Sequence, residues 1–142
     1  MRAPALLSAT IDVVVQFHDC DPMGVVWHGH YFKYFEVARC ALLQRFDYDY
    51  PQMMDSGFFW PLIDAQVRYI GTARYGDVLT VQADLIEWEN RLRIDYRIRH
   101  RDSGKRLTKG HSIQVAVTIA SGEMQLASPP ILRQKLEPLL CA

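Results

Sequence analysis

Apolar residues recur along the chain with two different periods, and the change from one to the other divides it. Residues 11 to 17, Ile-Asp-Val-Val-Val-Gln-Phe, are rich in β-branched residues and predict a strand, and His18-Asp19-Cys20-Asp21-Pro22-Met23-Gly24 supplies turn chemistry after it. From about Gly29 to Phe46 the period is helical: Tyr31, Tyr34, Phe35, Ala38, Ala41, Leu42 and Phe46 return at three- and four-residue steps. At about 1.5 Å per residue this helix spans roughly 27 Å. Asp47 to Pro61 holds two prolines and a glycine and reads as a connection, with a helical turn around Gln52 to Asp55.

Beyond Pro61 the period is two. Ile63, Ala65, Val67 and Tyr69 define one half-buried strand, and Leu79, Val81, Ala83 and Leu85 a second. Leu92, Ile94, Tyr96, Ile98 and His100 define a third, and Ile113, Val115, Val117 and Ile119 a fourth. Tyr75-Gly76-Asp77, Glu89-Asn90 and Asp102-Ser103-Gly104-Lys105 turn the chain between them. Ile131 to Leu140 follows the Pro129-Pro130 break as a short amphipathic helix.

A strand, one long helix and four strands joined by short turns give an α+β fold, a five-stranded antiparallel sheet with its helix on one face. Strands of about 10 residues run roughly 33 Å, long enough to wrap lengthwise around the helix. One helix covers only one face of such a sheet, and Gly57-Phe58-Phe59-Trp60 lacks an obvious home. A homo-oligomer is the expected solution. The alternative is that residues 47 to 61 fold back over the remaining apolar surface.

Composition narrows the class. At 142 residues and 49% hydrophobic content, residues 1–142 read as one folded domain. Sixteen basic and sixteen acidic side chains give net charge zero, so no basic field gathers nucleic acid or an anionic membrane. Cys20, Cys40 and Cys141 are odd in number and lack C-x-x-C spacing, as expected of a reduced, cytoplasmic protein. The stretch Ala3 to Ala9 is interrupted by Pro4 and Ser8 and makes a poor secretory core. No run reaches the roughly 20 apolar residues of a membrane helix.

The densest chemistry lies between His18 and Tyr31, in a loop that leads into the long helix. A helix start offers unsatisfied N–H donors and partial positive charge, where an oxyanion is stabilised. Asp21 is the carboxylate beside it. Pro22 and Gly24 fix a sharp turn, and Gly24 lets a substrate arm approach closely. Asp21 also reads as a turn or helix cap, and His28, His18, His30 and His100 each have an ordinary structural reading. The set His18, Asp19, Cys20, Asp21, His28 and His30 is the rival metal reading. Its spacing matches no familiar zinc pattern, and a helix from residue 29 throws His28 and His30 about 200° apart.

The stretch Asp21-Pro22-Met23-Gly24-Val25-Val26-Trp27-His28-Gly29-His30-Tyr31 resembles the signature of the hot-dog-fold acyl-CoA thioesterases. The branch is that of 4-hydroxybenzoyl-CoA thioesterase and the Tol–Pal-associated enzymes. The resemblance continues through Phe35-Glu36-Val37-Ala38-Arg39 and from Tyr69 to Asp77. It implies a hot-dog fold and a thioester hydrolase without metal or cofactor, in which Asp21 is the catalytic aspartate, as nucleophile or as general base toward water. The N–H groups near His28 and Gly29 correspond to the carbonyl-polarising donors. His28 stands where the Tol–Pal-associated branch has a histidine, suited to donating to the carbonyl oxygen or to passing a proton to the leaving thiolate.

For the substrate, Gly24, Tyr31, Phe58, Phe59 and Trp60 are the expected contacts, with the aromatics setting acyl size. In the 4-hydroxybenzoyl enzyme three basic residues follow a Glu-Trp pair and hold the nucleotide phosphates, whereas here Glu87-Trp88 is followed by Glu89, Asn90 and Arg91. Arg91 is the surviving contact, with Arg93 as the alternative to the lost ones. The expected partners are an acyl-CoA, or an acyl carrier protein docked on the outward arginines 91, 93, 97 and 99, and further copies of the chain as a homodimer or homotetramer. A same-fold acyl dehydratase is the rival enzyme, and the Asp21-to-His28 spacing argues against it. The rivals from other classes are a non-catalytic acyl-thioester binding or regulatory protein and a metal-dependent hydrolase using the His18 to His30 cluster.

Overall fold

The computed structural model describes residues 4–140, so Cys141 lies outside the described residues. Its elements are β1 (Leu7–Val14), α1 (His30–Arg45), α2 (Tyr50–Asp55), β2 (Phe58–Phe59), β3 (Leu62–Tyr69), β4 (Val78–Glu87), β5 (Leu92–His100), β6 (Arg106–Gln114), β7 (Val117–Thr118) and α3 (Pro130–Leu140). Five strands form one antiparallel sheet in the order β1-β4-β5-β6-β3, and β2 pairs separately with β7. The chain thus has the α+β architecture that its two periods imply.

Packing follows the alternation. Leu79, Val81, Ala83 and Leu85 of β4 and Leu92, Ile94, Tyr96 and Ile98 of β5 all turn inward and are buried. They meet Tyr31, Tyr34, Phe35, Ala38 and Leu42, the three-and-four stripe of α1. Phe35 stacks on Tyr96 with ring centroids 4.5 Å apart and planes 6° from parallel. Burial pushes the Tyr96 hydroxyl up to about 12, and it shares a 2.7 Å hydrogen bond with Ser112.

The structure departs from the sequence pattern in three places. β1 is Leu7–Val14 rather than residues 11 to 17, because Val15 ends the ladder and Gln16 starts a single 3-10 turn over Phe17–Asp19. The fourth meander strand is β6, Arg106–Gln114, rather than Ile113 to Ile119. Its inward residues are Thr108, Gly110 and Ser112, which present no apolar alternation. Small side chains are required there: a Cβ on Gly110 would lie 2.8 Å from the Phe35 ring and 2.2 Å from the Gln66 carbonyl. The apolar run from Ile113 to Val117 is buried on both sides of a break in the ladder, and Val117 then pairs with Phe59.

The third departure is β3. It is an edge strand, and every residue of it except Val67 is exposed, where the alternation predicts a half-buried strand. Ile63 keeps 55% of its surface and Tyr69 45%. The segment before it does fold back: Asp49 caps α2 through its side chain, and Trp60 is buried edge-on against Tyr48. Among the described residues no helix is long and apolar enough to cross a membrane.

Candidate functional site

The loop between β1 and α1 is fixed by Asp19, not by Asp21. The Asp19 side chain is buried and accepts hydrogen bonds from the Lys33 ammonium, from the Tyr34 hydroxyl at 2.9 Å and from the Gln16 N–H at 3.0 Å. Burial alone would raise its pKa, but the Lys33, Gln16 and Tyr34 donors outweigh it and hold the carboxyl at about 2. Burial and the same carboxylate push the Tyr34 hydroxyl well above the ordinary phenol range. This anchor ties the loop to the second turn of α1, and sequence spacing alone did not show it.

Two residues on, Asp21 is only half buried. The Gly24 N–H donates to the Asp21 carbonyl at 2.9 Å, and the Asp21 N–H donates to Val25 at 2.9 Å. Gly24 sits at φ +79°, a conformation that a Cβ would strain. Within this turn the Met23 N–H donates to Asp21 Oδ1 at 2.9 Å. Oδ2 accepts no hydrogen bond among the described residues, so one carboxylate oxygen is available for chemistry. A guanidinium nitrogen of Arg74 lies 3.9 Å from the position of a Cβ on Gly24, setting a cation beside the turn.

The chain then runs along Ala73, which accepts the Val26 N–H at 2.9 Å, and reaches α1 through His28 and Gly29. Gly29 is the N-cap and contributes no side-chain cap. The His30 N–H turns back to the Trp27 carbonyl at 2.9 Å. Among the described residues the N–H groups of His28 and Gly29 donate to no backbone carbonyl, which leaves two donors at the positive end of the helix. The exposed His28 ring lies 5.0 Å from Trp27 and 6.3 Å from Tyr69, and the Tyr69 hydroxyl donates to the His28 carbonyl at 2.6 Å. Tyr31 is buried behind them, edge-on to Tyr69 at 5.4 Å, and burial raises its hydroxyl pKa.

The other predicted contacts are elsewhere. Trp60 is buried, donating from Nε1 to Tyr48 at 3.3 Å and accepting from Gln114 at 2.7 Å. Phe58 is half buried, and Phe59, 39% exposed, stands at the rim of a cavity of about 440 Å³ walled by Arg39, Cys40, Leu43, Met53 and Trp60. Along α1, Cys40 is about 15 Å beyond His30. Arg91 lies at the β4–β5 turn and is held by Glu87 at 3.0 Å. Within one chain, then, Asp21 and Gly24 share a turn that the chain leaves through Val26 and Trp27 to reach His28 and Gly29, while Phe58, Phe59, Trp60 and Arg91 lie toward the opposite end. Among the described residues no three His, Cys, Asp or Glu side chains converge as a metal-ligand set. His18 is exposed, and His30 packs edge-on against Trp27 at 5.3 Å.

The model of the thioesterase-like superfamily matches residues 15–136. Protein sll0410 of Synechocystis sp., provisionally named an esterase, is 29% identical over 133 residues, covering 89% of this chain and 76% of that protein. The 4-hydroxybenzoyl-CoA thioesterase of Pseudomonas sp. is 26% identical over 117 residues, covering 78% and 77%. The crystal structure of Slr0204, a 1,4-dihydroxy-2-naphthoyl-CoA thioesterase from Synechocystis, superposes with a TM-score of 0.82 at 21% identity, covering 94% of this chain and 96% of that one, a likeness of fold. The chain belongs to the thioesterase-like superfamily, as a thioester hydrolase with the hot-dog fold.

Proposed function

We propose that this protein hydrolyses acyl-CoA thioesters with Asp21 as the reacting carboxylate, and that the N–H groups of His28 and Gly29 hold the thioester oxygen. The reading is supported by an Asp21 Oδ2 that accepts no hydrogen bond among the described residues, in a hydrogen-bonded turn seven residues before two amides at the start of α1 that donate to no backbone carbonyl. Charge develops on the carbonyl oxygen as the thioester is attacked. Donors fixed before the reaction stabilise that charge without reorganising, typically by about 10²- to 10³-fold in rate per donor. Asp21 acts by attacking the carbonyl, forming an acyl-aspartate that water opens, or by taking a proton from water as it attacks. In both routes the C–S bond breaks, the thiolate leaves with a proton, and the products are the free acid and coenzyme A. Asp19 is excluded from this role because three donors already occupy its carboxylate.

The working unit is a homodimer joined along β3. An exposed edge strand with Leu62, Ile63, Tyr69 and Ile70 at its surface is a template for a second copy. A twofold axis pairs two such strands antiparallel, bringing the start of one against the end of the other. The Phe59–Trp60 cavity of one copy then stands beside the Asp21 and His28 of its partner, which completes a site that one chain holds only in halves. A homotetramer would pair two such dimers. A cytoplasmic setting with acyl-CoA as thiol carrier fits the reduced cysteines and absent charge bias, and acyl-carrier-protein thioesters share the same reacting group.

The experiment is thiol release from short-chain, long-chain and aromatic acyl-CoAs, with chelator present, by wild type and Asp21→Asn. Hydrolysis that falls by about 10³-fold in the variant is the expected result. Equal rates would remove Asp21 from the mechanism, and binding without turnover would make the protein a thioester-binding member of the family.

A further inference from the structure

The cavity at the C-terminal half of α1 is apolar only in part, and the exception lies at its floor. Tyr50 and Phe59 stand exposed at the rim, while Leu43, Met53 and Gln114 are buried beneath them. Gln114 keeps only 6% of its surface. Its Nε2 donates to the Trp60 carbonyl at 2.7 Å, which fixes the orientation of the amide. Its Oε1 is buried and accepts no hydrogen bond among the described residues. An acceptor buried in this way is stabilised by a donor that reaches it.

Arg39 supplies a cation to the same cavity. Its side chain is 16% exposed, and its one carboxylate within ion-pair distance among the described residues is Glu36, at 3.5 Å and itself 58% exposed. The guanidinium lies beside the Tyr96 hydroxyl: burial raises that hydroxyl's pKa, and Arg39 draws it part of the way back. Tyr96 in turn shares a hydrogen bond with Ser112, which lies on the same inward face of β6 as Gln114 and about 7 Å from it along the strand. The head of Arg39 and the Gln114 amide are therefore neighbours. The other charge on the wall, Asp49, is committed, accepting the Tyr50 N–H at 2.8 Å and the Gln44 amide at 3.1 Å.

We propose that Gln114 and Arg39 are specificity-determining residues that select an aliphatic acyl chain ending in a hydroxyl, an inference that rests on the thioesterase reading. The hydroxyl donates its proton to Gln114 Oε1 and accepts from the Arg39 guanidinium, so one oxygen serves both groups. A methyl end leaves both facing hydrocarbon. A carboxylate end suits Arg39 but turns lone pairs toward Gln114 Oε1 and brings a second negative charge toward Asp49. Between rim and floor, Leu43, Met53 and Met54 wall the space, and flexible methionines fit themselves around a methylene chain.

The test measures kcat/KM for three CoA thioesters of one straight saturated chain: unsubstituted, hydroxylated at the last carbon, and ending in a carboxylate. Wild type prefers the hydroxylated chain to the unsubstituted one about 10- to 100-fold, and in Gln114→Met the ratio falls to about 1. Gln114→Met also removes the donor to the Trp60 carbonyl, so Arg39→Met, which leaves that bond in place, is the second variant and lowers the same ratio. Equal rates on the hydroxylated and unsubstituted chains in wild type overturn the proposal, as does a ratio that both variants retain. A preference for the carboxylate end also overturns it, since Arg39 would then act without Gln114. Calorimetric titration of the free hydroxylated and unsubstituted acids separates the two readings. If wild type turns over no thioester, the thioesterase reading fails on its own, and tighter binding of the hydroxylated acid, lost in the variants, still decides whether the floor selects a hydroxyl.

Discussion

The two ends of α1 are built to different rules. At its N-terminal end the chain is polar and tightly tethered: Asp19 is buried under three donors, Gly24 makes a turn, and Asp21 keeps one oxygen unshared. At its C-terminal half, α1 faces a cavity under Met53, Phe59 and Trp60 that Arg39 also walls, and the carboxylate there, Asp49, is engaged in capping α2. A reaction needs both a place to hold an acyl group and a group to attack it, and the proposed reading assigns these to opposite ends of α1, along which His30 and Cys40 are about 15 Å apart. The proposed pairing of β3 with a second copy would join these unlike ends and cover an edge strand that is exposed in the single chain.

The strongest way to break this arrangement is to deny the pairing. Ile63→Lys adds a charge to a side chain that is already exposed, so each copy stays folded. Sedimentation should then show monomers, and kcat/KM should drop by about 10³-fold because each site loses half its parts. A variant that remains dimeric and fully active would separate the site from β3. Next in size is His28→Ala, for which thiol-release kinetics should show about a 10²-fold loss in kcat. A change confined to KM would make His28 a binding residue only.

Phe59→Ala acts at the other end, and there the account expects selectivity, not rate, to change. The ratio of kcat/KM between long and short acyl chains should shift about 10-fold, and a uniform change across chain lengths would remove Phe59 from the acyl wall. The smallest expected effect on catalysis comes from Asp19→Ala, whose cost is stability, about 2 to 3 kcal/mol in denaturant melts. The pH dependence follows from the same anchor. The Asp19 pKa is about 2 when folded against an ordinary 3.8, so its stabilisation is complete above about pH 4 and is lost as pH falls toward 2. Acid unfolding that is identical in wild type and Asp19→Ala would contradict this.

How much of this was legible in the sequence depended on whether the local pattern and the tertiary environment agreed. β4 and β5 were readable because their inward residues are large and apolar. β6 was not, since Phe35 and Tyr96 occupy the space and leave its inward positions to Thr108, Gly110 and Ser112. The candidate loop was readable as a concentration of polar groups before a helix. The division of labour between Asp19 and Asp21 was not, because it depends on Lys33 and Tyr34 arriving from the next turn of α1. Trp60 looked homeless for a similar reason: its partner Tyr48 lies across α2, and no short-range pattern links them.

The most direct test of a site shared between copies is subunit complementation. Asp21→Asn disables one end, and Phe59→Arg crowds a second guanidinium into the cavity beside Arg39 and disables the other. When the two inactive proteins are dissociated, mixed and reassociated, half the dimers pair one of each, and each such dimer carries one fully wild-type site. Thiol release should recover to about a quarter of the wild-type rate. A mixture no more active than its separate components would place both ends in the same chain and contradict the account.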